Sequence, residues 1–310
     1  MLTSLHSLSL RLSGPESAAG QSVNALSGIE ALSNLQRLTL ESKNMDIRWW
    51  LPSELLQLTG LTHLALKRMS LANCNEVLSA LCPQLKRLRL KCIAPGMLGM
   101  HLPLARMGKL TELIMRYTGV LTRVEGLDAL TRLQLLEARG RGVHSLHPSS
   151  SQDLTCCSQA FRLTQLTCLT LGSSEALVDL DVLRWHTRLR ALWLGDIRVL
   201  ASMADGSVSL PESLYDLQSL TLYRNFLPHP PSNLSCLTSL TELNFSSQSV
   251  HMSLQQDPAF LLDLPHLQRL DFRARNSWDV KSSQKLEDLR DLFQARASSV
   301  GSLVEFVFKF

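Results

Sequence analysis

The phrase L-x-x-L-x-x-L-x-L recurs twelve times along this chain, with Met, Phe, Val, Ala, Cys or His replacing some leucines. It reads LTSLHSLSL at 2–10, LSNLQRLTL at 32–40, LTGLTHLAL at 58–66, CPQLKRLRL at 82–90, MGKLTELIM at 107–115 and LTRLQLLEA at 130–138. It continues as LTQLTCLTL at 163–171, HTRLRALWL at 186–194, LYDLQSLTL at 214–222, LTSLTELNF at 237–245, LPHLQRLDF at 264–272 and VGSLVEFVF at 300–308. The third apolar position of each copy falls at Leu8, Leu38, Leu64, Leu88, Leu113, Leu136, Leu169, Leu192, Leu220, Leu243, Leu270 and Phe306, at intervals of 23 to 36 residues. A fixed motif at that period is the signature of a stacked array, because one copy cannot bury its apolar face alone.

In x-L-x-L the side chains alternate across a short strand, so two leucines point inward and their neighbours point out. Stacking parallel copies builds a continuous leucine core and pairs backbone between coils. Strands about 4.8 Å apart pack more closely than bulkier outer segments, so such an array curves with its strands on the inner face. Composition agrees: apolar residues are 45% of the chain but aromatics only 5%, as expected when one side chain fills one kind of slot repeatedly.

The copy LQSLTLYRNFL at 217–227 fits LxxLxLxxNxL in full, with Asn225 in the asparagine slot. On these residues the chain resembles the leucine-rich repeat family over nearly its whole length. The resemblance implies an α/β solenoid, a leucine-rich repeat horseshoe of about twelve coils. A parallel β-sheet lines its concave face, and its convex segments are mostly irregular or short helical. Lys43, Met69, Ile93 and Thr118 take the asparagine slot elsewhere, so the asparagine ladder is expected to be incomplete. The copies are mixed, as in plant and algal members, and CPQLKRLRLKC, with Cys82 and Cys92, resembles the cysteine-containing type.

LPSELL at 51–56 resembles the opening of an F-box, the domain that docks substrate receptors onto cullin-type ubiquitin ligases. The repeat resumes within a few residues, however, and LPESLYDL recurs at 210–217 in the same place relative to its strand. Both segments are expected to be outer arcs, with Leu55 and Leu58 facing inward.

We expect a single domain over 1–310. Residues 13–31 and 140–162 are rich in small and polar residues and read as protruding loops. In 282–297, Leu286, Leu289, Leu292 and Phe293 share one helical face, predicting a helix over the last coil. A last strand is expected at 304–309. Leu2 already belongs to a copy and VEFVFKF is β-prone, so the ends are expected to meet further chain or to self-associate end to end.

The seven cysteines form no CxxC pair and read as reduced, which suggests an intracellular and cytoplasmic protein. Neither a signal-peptide pattern nor an apolar run of about 20 residues is present. Residues 1–145 carry 17 Lys/Arg against 10 Asp/Glu, whereas 146–310 carry 14 against 17, so the basic half suits an acidic partner.

Outward positions on the strands are the expected contact surface. Arg87, Arg89 and Lys91 put three cations on one strand, with His63, Lys67 and Arg116 on its neighbours. Like charges so close are unfavourable unless screened or matched by a partner. Trp193 and Tyr223 are expected on adjacent strands as an exposed aromatic pair, residue types favoured at interface hot spots. The alternation of KRLRLK with core Leu88 and Leu90 disfavours nucleic acid, and GVHSLHP lacks the companions of a metal site. No catalytic constellation, cofactor motif or metal site is apparent. The reading is a non-catalytic scaffold that binds an acidic or phosphorylated protein through the concave face. A ubiquitin-ligase substrate-recognition fragment and a cytoskeletal or ciliary component are the alternatives.

Overall fold

The structure is a computed structural model. It describes residues 4–13, 22–24, 26, 28–44, 48–51, 53–71, 74–81, 83–91, 104–116, 126–139, 162–178, 180–199, 208–225, 231, 233–246, 258–271, 284, 287–295 and 305–307. The chain divides into two compact units, Met1–Gln165 and Leu166–Phe310.

The first unit contains β1 (Ser7–Leu12), β2 (Ser22–Asn24), β3 (Arg37–Ser42), β4 (Arg48–Trp50), β5 (His63–Lys67), β6 (Ser70–Leu71), α1 (Cys74–Leu81), β7 (Arg87–Lys91), β8 (Glu112–Arg116) and β9 (Leu135–Arg139). Strands β1, β3, β5, β7, β8 and β9 pair in parallel in that order. Their register joins Leu8, Leu38, Leu64, Leu88, Leu113 and Leu136 without a slip.

The second unit contains β10 (Cys168–Val178), β11 (Ala191–Val199), β12 (Ser219–Tyr223), β13 (Glu242–Asn244), β14 (Arg269–Asp271) and β15 (Glu305–Val307). These also pair in parallel in sequence order, joining Leu169, Leu192, Leu220, Leu243, Leu270 and Phe306. The sequence phrase is therefore the structural repeat, and the chain is a leucine-rich repeat solenoid.

Each coil buries the same slots. Leu38, Leu40, Leu64, Leu66, Leu88 and Leu90 are at most 1% exposed, and so are Leu35, Leu61, Leu85, Leu110 and Leu133, which lead into the strands. Full burial of one such side chain is worth about 1.5–3 kcal/mol, so the stack rather than any single coil holds the fold. The residue two before each anchor also donates its N–H to the preceding coil: Thr62 to Gln36, Lys86 to Thr62, Thr111 to Lys86 and Gln134 to Thr111, at 2.8–2.9 Å. The second unit repeats this from Arg190 to Thr167 through Gln268 to Thr241.

Outer arcs are short. LPSELL contributes the five-residue 3-10 segment Ser53–Gln57, with Leu55 and Leu58 fully buried as expected. Further 3-10 segments lie at Leu104–Arg106, Leu127–Ala129, Leu180–Trp185, Leu234–Cys236 and Pro258–Asp263. His186 occupies the first leucine slot of its coil and is buried there.

Two expectations need correction. Residues 13–31 are not simply a loop: Ser22–Asn24 forms β2, which pairs in parallel with β4, and β4 pairs with β6. This small ladder aligns Val23, Trp49 and Leu71, so the Trp49–Trp50 pair is strand. The polar composition of 13–31 hid a three-residue strand, Ser22–Asn24, too short for alternation to register. In the C-terminal helix, seen at 284 and 287–295, Leu289 and Phe293 are buried but Leu292 is 51% exposed, so the apolar face is narrower than its leucines suggest. Leu286 and 140–161 lie outside the described residues.

The asparagine slot shows why the coils are uneven. Asn225 is buried and its Nδ2 donates to the Leu194 carbonyl of the preceding coil at 3.0 Å. Met69 fills the equivalent slot, fully buried but with no polar group for such a bond. Each follows an arginine, Arg68 or Arg224, held at φ 54, so the turn geometry persists without the asparagine. Lys43 is exposed, whereas Ile93 and Thr118 lie outside the described residues.

Candidate functional site

The register turns the outward side chains of the first unit into three rows running across the strands. The first row is Ser7, Arg37, His63, Arg87, Glu112 and Leu135. The middle row is Ser9, Thr39, Ala65, Arg89, Ile114 and Glu137. The third is Arg11, Glu41, Lys67, Lys91, Arg116 and Arg139. Eight Lys or Arg side chains thus share one face with three carboxylates. His63, Lys67, Arg87, Arg89, Lys91 and Arg116 all stand on it, on three consecutive strands.

Two of the carboxylates alter the expected electrostatics. Glu112 is 8% exposed and meets Arg89 Nε at 2.5 Å and Arg87 Nε at 3.5 Å. Glu137 is 5% exposed and accepts from both Arg116 Nε, at 2.5 Å, and Arg116 Nη2, at 2.7 Å. Arg139 Nε approaches the same carboxylate at 3.0 Å. Three arginines of the cluster expected to need a partner, Arg87, Arg89 and Arg116, are therefore paired from within. The signal was present in the sequence, since Glu112 and Glu137 are themselves outward positions, but pairing between strands depends on register.

Glu112, Ile114 and Glu137 have outward parity and are nonetheless buried. Long side chains on both flanking strands explain this: Ile114 lies in register between Arg89 and Glu137. Parity predicts direction, not exposure.

Lys67 and Lys91 differ from the arginines. They are direct register partners on β5 and β7. Among the described residues no carboxylate lies within salt-bridge distance of either. Glu41, opposite Lys67, instead approaches Arg11 at 4.0 Å. Burial, and then the charges of Arg116, Lys67 and Arg89, push the Lys91 ammonium below its ordinary value, with Glu137 opposing. His63 is also lowered, first by burial and then by Arg87 and Arg37, and its Nδ1 sits 2.8 Å from Thr62 Oγ1.

On the second unit the outward face carries less charge. Its rows include Cys168, Ala191, Ser219, Glu242, Arg269 and Glu305, and then Thr170, Trp193, Thr221, Asn244, Asp271 and Val307. Trp193 and Tyr223 stand on adjacent strands and stack, with ring centroids 6.2 Å apart and planes inclined by 21°. Both are half-buried, which corrects the expectation of an exposed pair. The cause is a pair of glycines in register, Gly172 and Gly195. A Cβ at either would collide with the Trp193 ring, so the missing side chains leave a shelf on which the indole lies.

Among the described residues no cluster of three or more His, Cys, Asp or Glu could hold a metal, and no helix is long and apolar enough to cross a membrane. Cys236 is an exposed free thiol.

The fold and this face define a leucine-rich repeat solenoid whose first unit carries charged side chains on its strand ladder. No family model matches the chain, nor does any curated protein. Solved structures do resemble it. The plant peptide hormone receptor RGFR1, in complex with RGF2, shares 17% identity over 82% of this chain and 42% of that one, with a TM-score of 0.48. A leucine-rich repeat protein of Leptospira interrogans shares 19% identity over 81% of this chain and 70% of that one, with a TM-score of 0.49. An internalin from Listeria monocytogenes shares 18% over 89% and 88%, with a TM-score of 0.44. The chain therefore spans less than half the length of the plant receptor.

Proposed function

We propose that the protein is a non-catalytic interaction module that binds an acidic or phosphorylated segment of another protein along the outward strand face of residues 1–165. The observation that carries this is the excess of cations left on the three rows after Glu112 and Glu137 have taken their arginines. A strand face with neighbouring unmatched cations attracts an anionic partner and repels a cationic one. Trp193 and Tyr223 supply a separate, half-buried aromatic contact on the other unit. The free thiol of Cys236 fits a location inside the cell.

A ubiquitin-ligase receptor fragment is a weaker reading, because LPSELL forms one 3-10 turn of a coil and not the start of a helical adaptor domain. The mixed repeats, the cysteine-containing copy and a cytoskeletal or ciliary setting remain resemblances of sequence.

Proximity labelling in the native cell, followed by recapture on the purified chain, tests the proposal. Arg37, Lys67 and Lys91 are the residues to reverse, because none of them holds Glu112 or Glu137. R37E/K67E/K91E is expected to lose a salt-sensitive partner rich in acidic or phosphorylated segments. Capture that survives both the triple reversal and high salt would overturn this reading.

A further inference from the structure

The third row holds four cations in succession, Lys67, Lys91, Arg116 and Arg139, on strands about 4.8 Å apart. Glu137 serves the two arginines at one end. At the other end Glu41 approaches Arg11. Two ammonium groups in register remain in the middle, both half-buried; among the described residues neither has a carboxylate within salt-bridge distance, although Glu41 is the register partner of Lys67 and Glu137 acts on Lys91 from farther away. Directly opposed like charges destabilise a strand pair. The fold thus keeps an arrangement that an anion between the two lysines would relieve.

The size of that unmatched charge indicates the ligand. Two adjacent ammoniums present +2, and one carboxylate offsets only half of it. A phosphomonoester carries about −1.5 to −2 at neutral pH and three acceptor oxygens, enough to reach both lysines from one position. Lysine ammoniums rotate freely and suit a compact phosphate, whereas the arginines nearby are already committed to planar carboxylates.

We infer that Lys67 and Lys91 form a phosphate subsite that receives one phosphorylated side chain of the bound protein segment. This rests on the acidic-partner reading and narrows it. Arg116, in register with Lys91, lines the same row and stays oriented by Glu137, so it adds a second-rank positive charge without moving. The segment runs along the row, across the strands, with its phosphate over the midpoint of β5 and β7.

The test uses the full chain and two probes. Inorganic phosphate, compared with chloride at matched ionic strength, is expected to raise the melting temperature of the wild type and not that of K67M/K91M. An array of degenerate phosphoserine peptides, printed beside the same peptides carrying Ser or Asp, is expected to bind the wild type at least about tenfold better in the phosphorylated form. K67M/K91M should lose that preference while its own circular dichroism melt remains cooperative. Equal retention of Asp and phosphoserine peptides, lost together in K67M/K91M, would overturn the phosphate subsite but leave the acidic-partner reading standing. Phosphoserine binding unchanged in K67M/K91M, or absent altogether, would overturn the subsite. Only loss of the native partner's dependence on Arg37, Lys67 and Lys91 overturns the broader reading.

Discussion

Glu137 grips Arg116 through two parallel hydrogen bonds, at 2.5 and 2.7 Å, while lying 5% exposed on the outward side of a strand ladder. A bidentate pair of this kind holds its arginine in one orientation and costs more to break than a surface ion pair. E137A leaves Arg116 and Arg139 beside Lys91 with no anion between them. We expect it to destabilise the first unit by about 1–3 kcal/mol, measured by urea denaturation, with part of the loss recovered in high salt. A loss below about 0.5 kcal/mol would show that Glu137 is a rim contact with no organising role.

K91M should have the opposite sign. Burial and three neighbouring cations hold the Lys91 ammonium below its ordinary value, so the folded state disfavours its charge. A group lowered in this way weakens the fold wherever it is protonated, which includes neutral pH, and the penalty fades as pH rises through its folded value. Lys91 keeps contact with solvent, which screens these charges, so replacing it with an apolar chain of similar length is expected to gain only about a few tenths of a kcal/mol. Thermal melts at neutral pH decide this, and a lower melting temperature would contradict it.

The ladder, its register and the inward leucines were legible because one spacing repeats twelve times and a slip in any copy would turn its leucines outward. Asn225 was legible for the same reason, since its copy matches the family pattern in full. The charge state of the face was not. Lys67, Arg89 and Glu112 are far apart in sequence, and which cation a carboxylate takes depends on side-chain reach across strands that the spacing alone does not define. Gly172 and Gly195 carry no apolar signal, so the shelf beneath Trp193 emerges only when β10 and β11 are set side by side.

Removing the asparagine that reaches the Leu194 carbonyl of the preceding coil tests how much that bond contributes. N225A leaves the buried Leu194 carbonyl without its 3.0 Å donor and should cost about 1–3 kcal/mol in chemical denaturation. M69A, in the equivalent slot of the first unit, removes apolar volume instead, with an expected loss of about 2–5 kcal/mol. Equal salt and temperature dependence of the two losses would argue against distinct polar and apolar solutions to the same turn.

His63 makes the first unit sensitive to acid. Burial and the charges of Arg87 and Arg37 hold its imidazole below 6.5, against the opposing pull of Glu112. The fold therefore prefers the neutral ring, and its full stability is present above 6.5. As pH falls the unfolded chain takes the proton first, so stability declines until the folded value is passed. H63Q cannot take that proton. The stability difference between wild type and H63Q should shift against the wild type from about pH 7.5 to about pH 5, and a constant difference would rule the effect out.

The aromatic shelf on the second unit can be removed without touching an aromatic residue. A methyl group at Gly195 would occupy the space of the Trp193 ring, which belongs to a side chain able to swing away. G195A is therefore expected to lift Trp193 off the strand and separate it from Tyr223, with the backbone ladder kept by the Gly195–Tyr223 and Leu194–Leu222 register. Near-ultraviolet circular dichroism should lose the signal of the stacked pair while the far-ultraviolet spectrum persists. In a W193F background the same glycine change should produce a smaller spectral difference. If G195A leaves the aromatic signal of the wild type intact, the glycines are not what seats the indole.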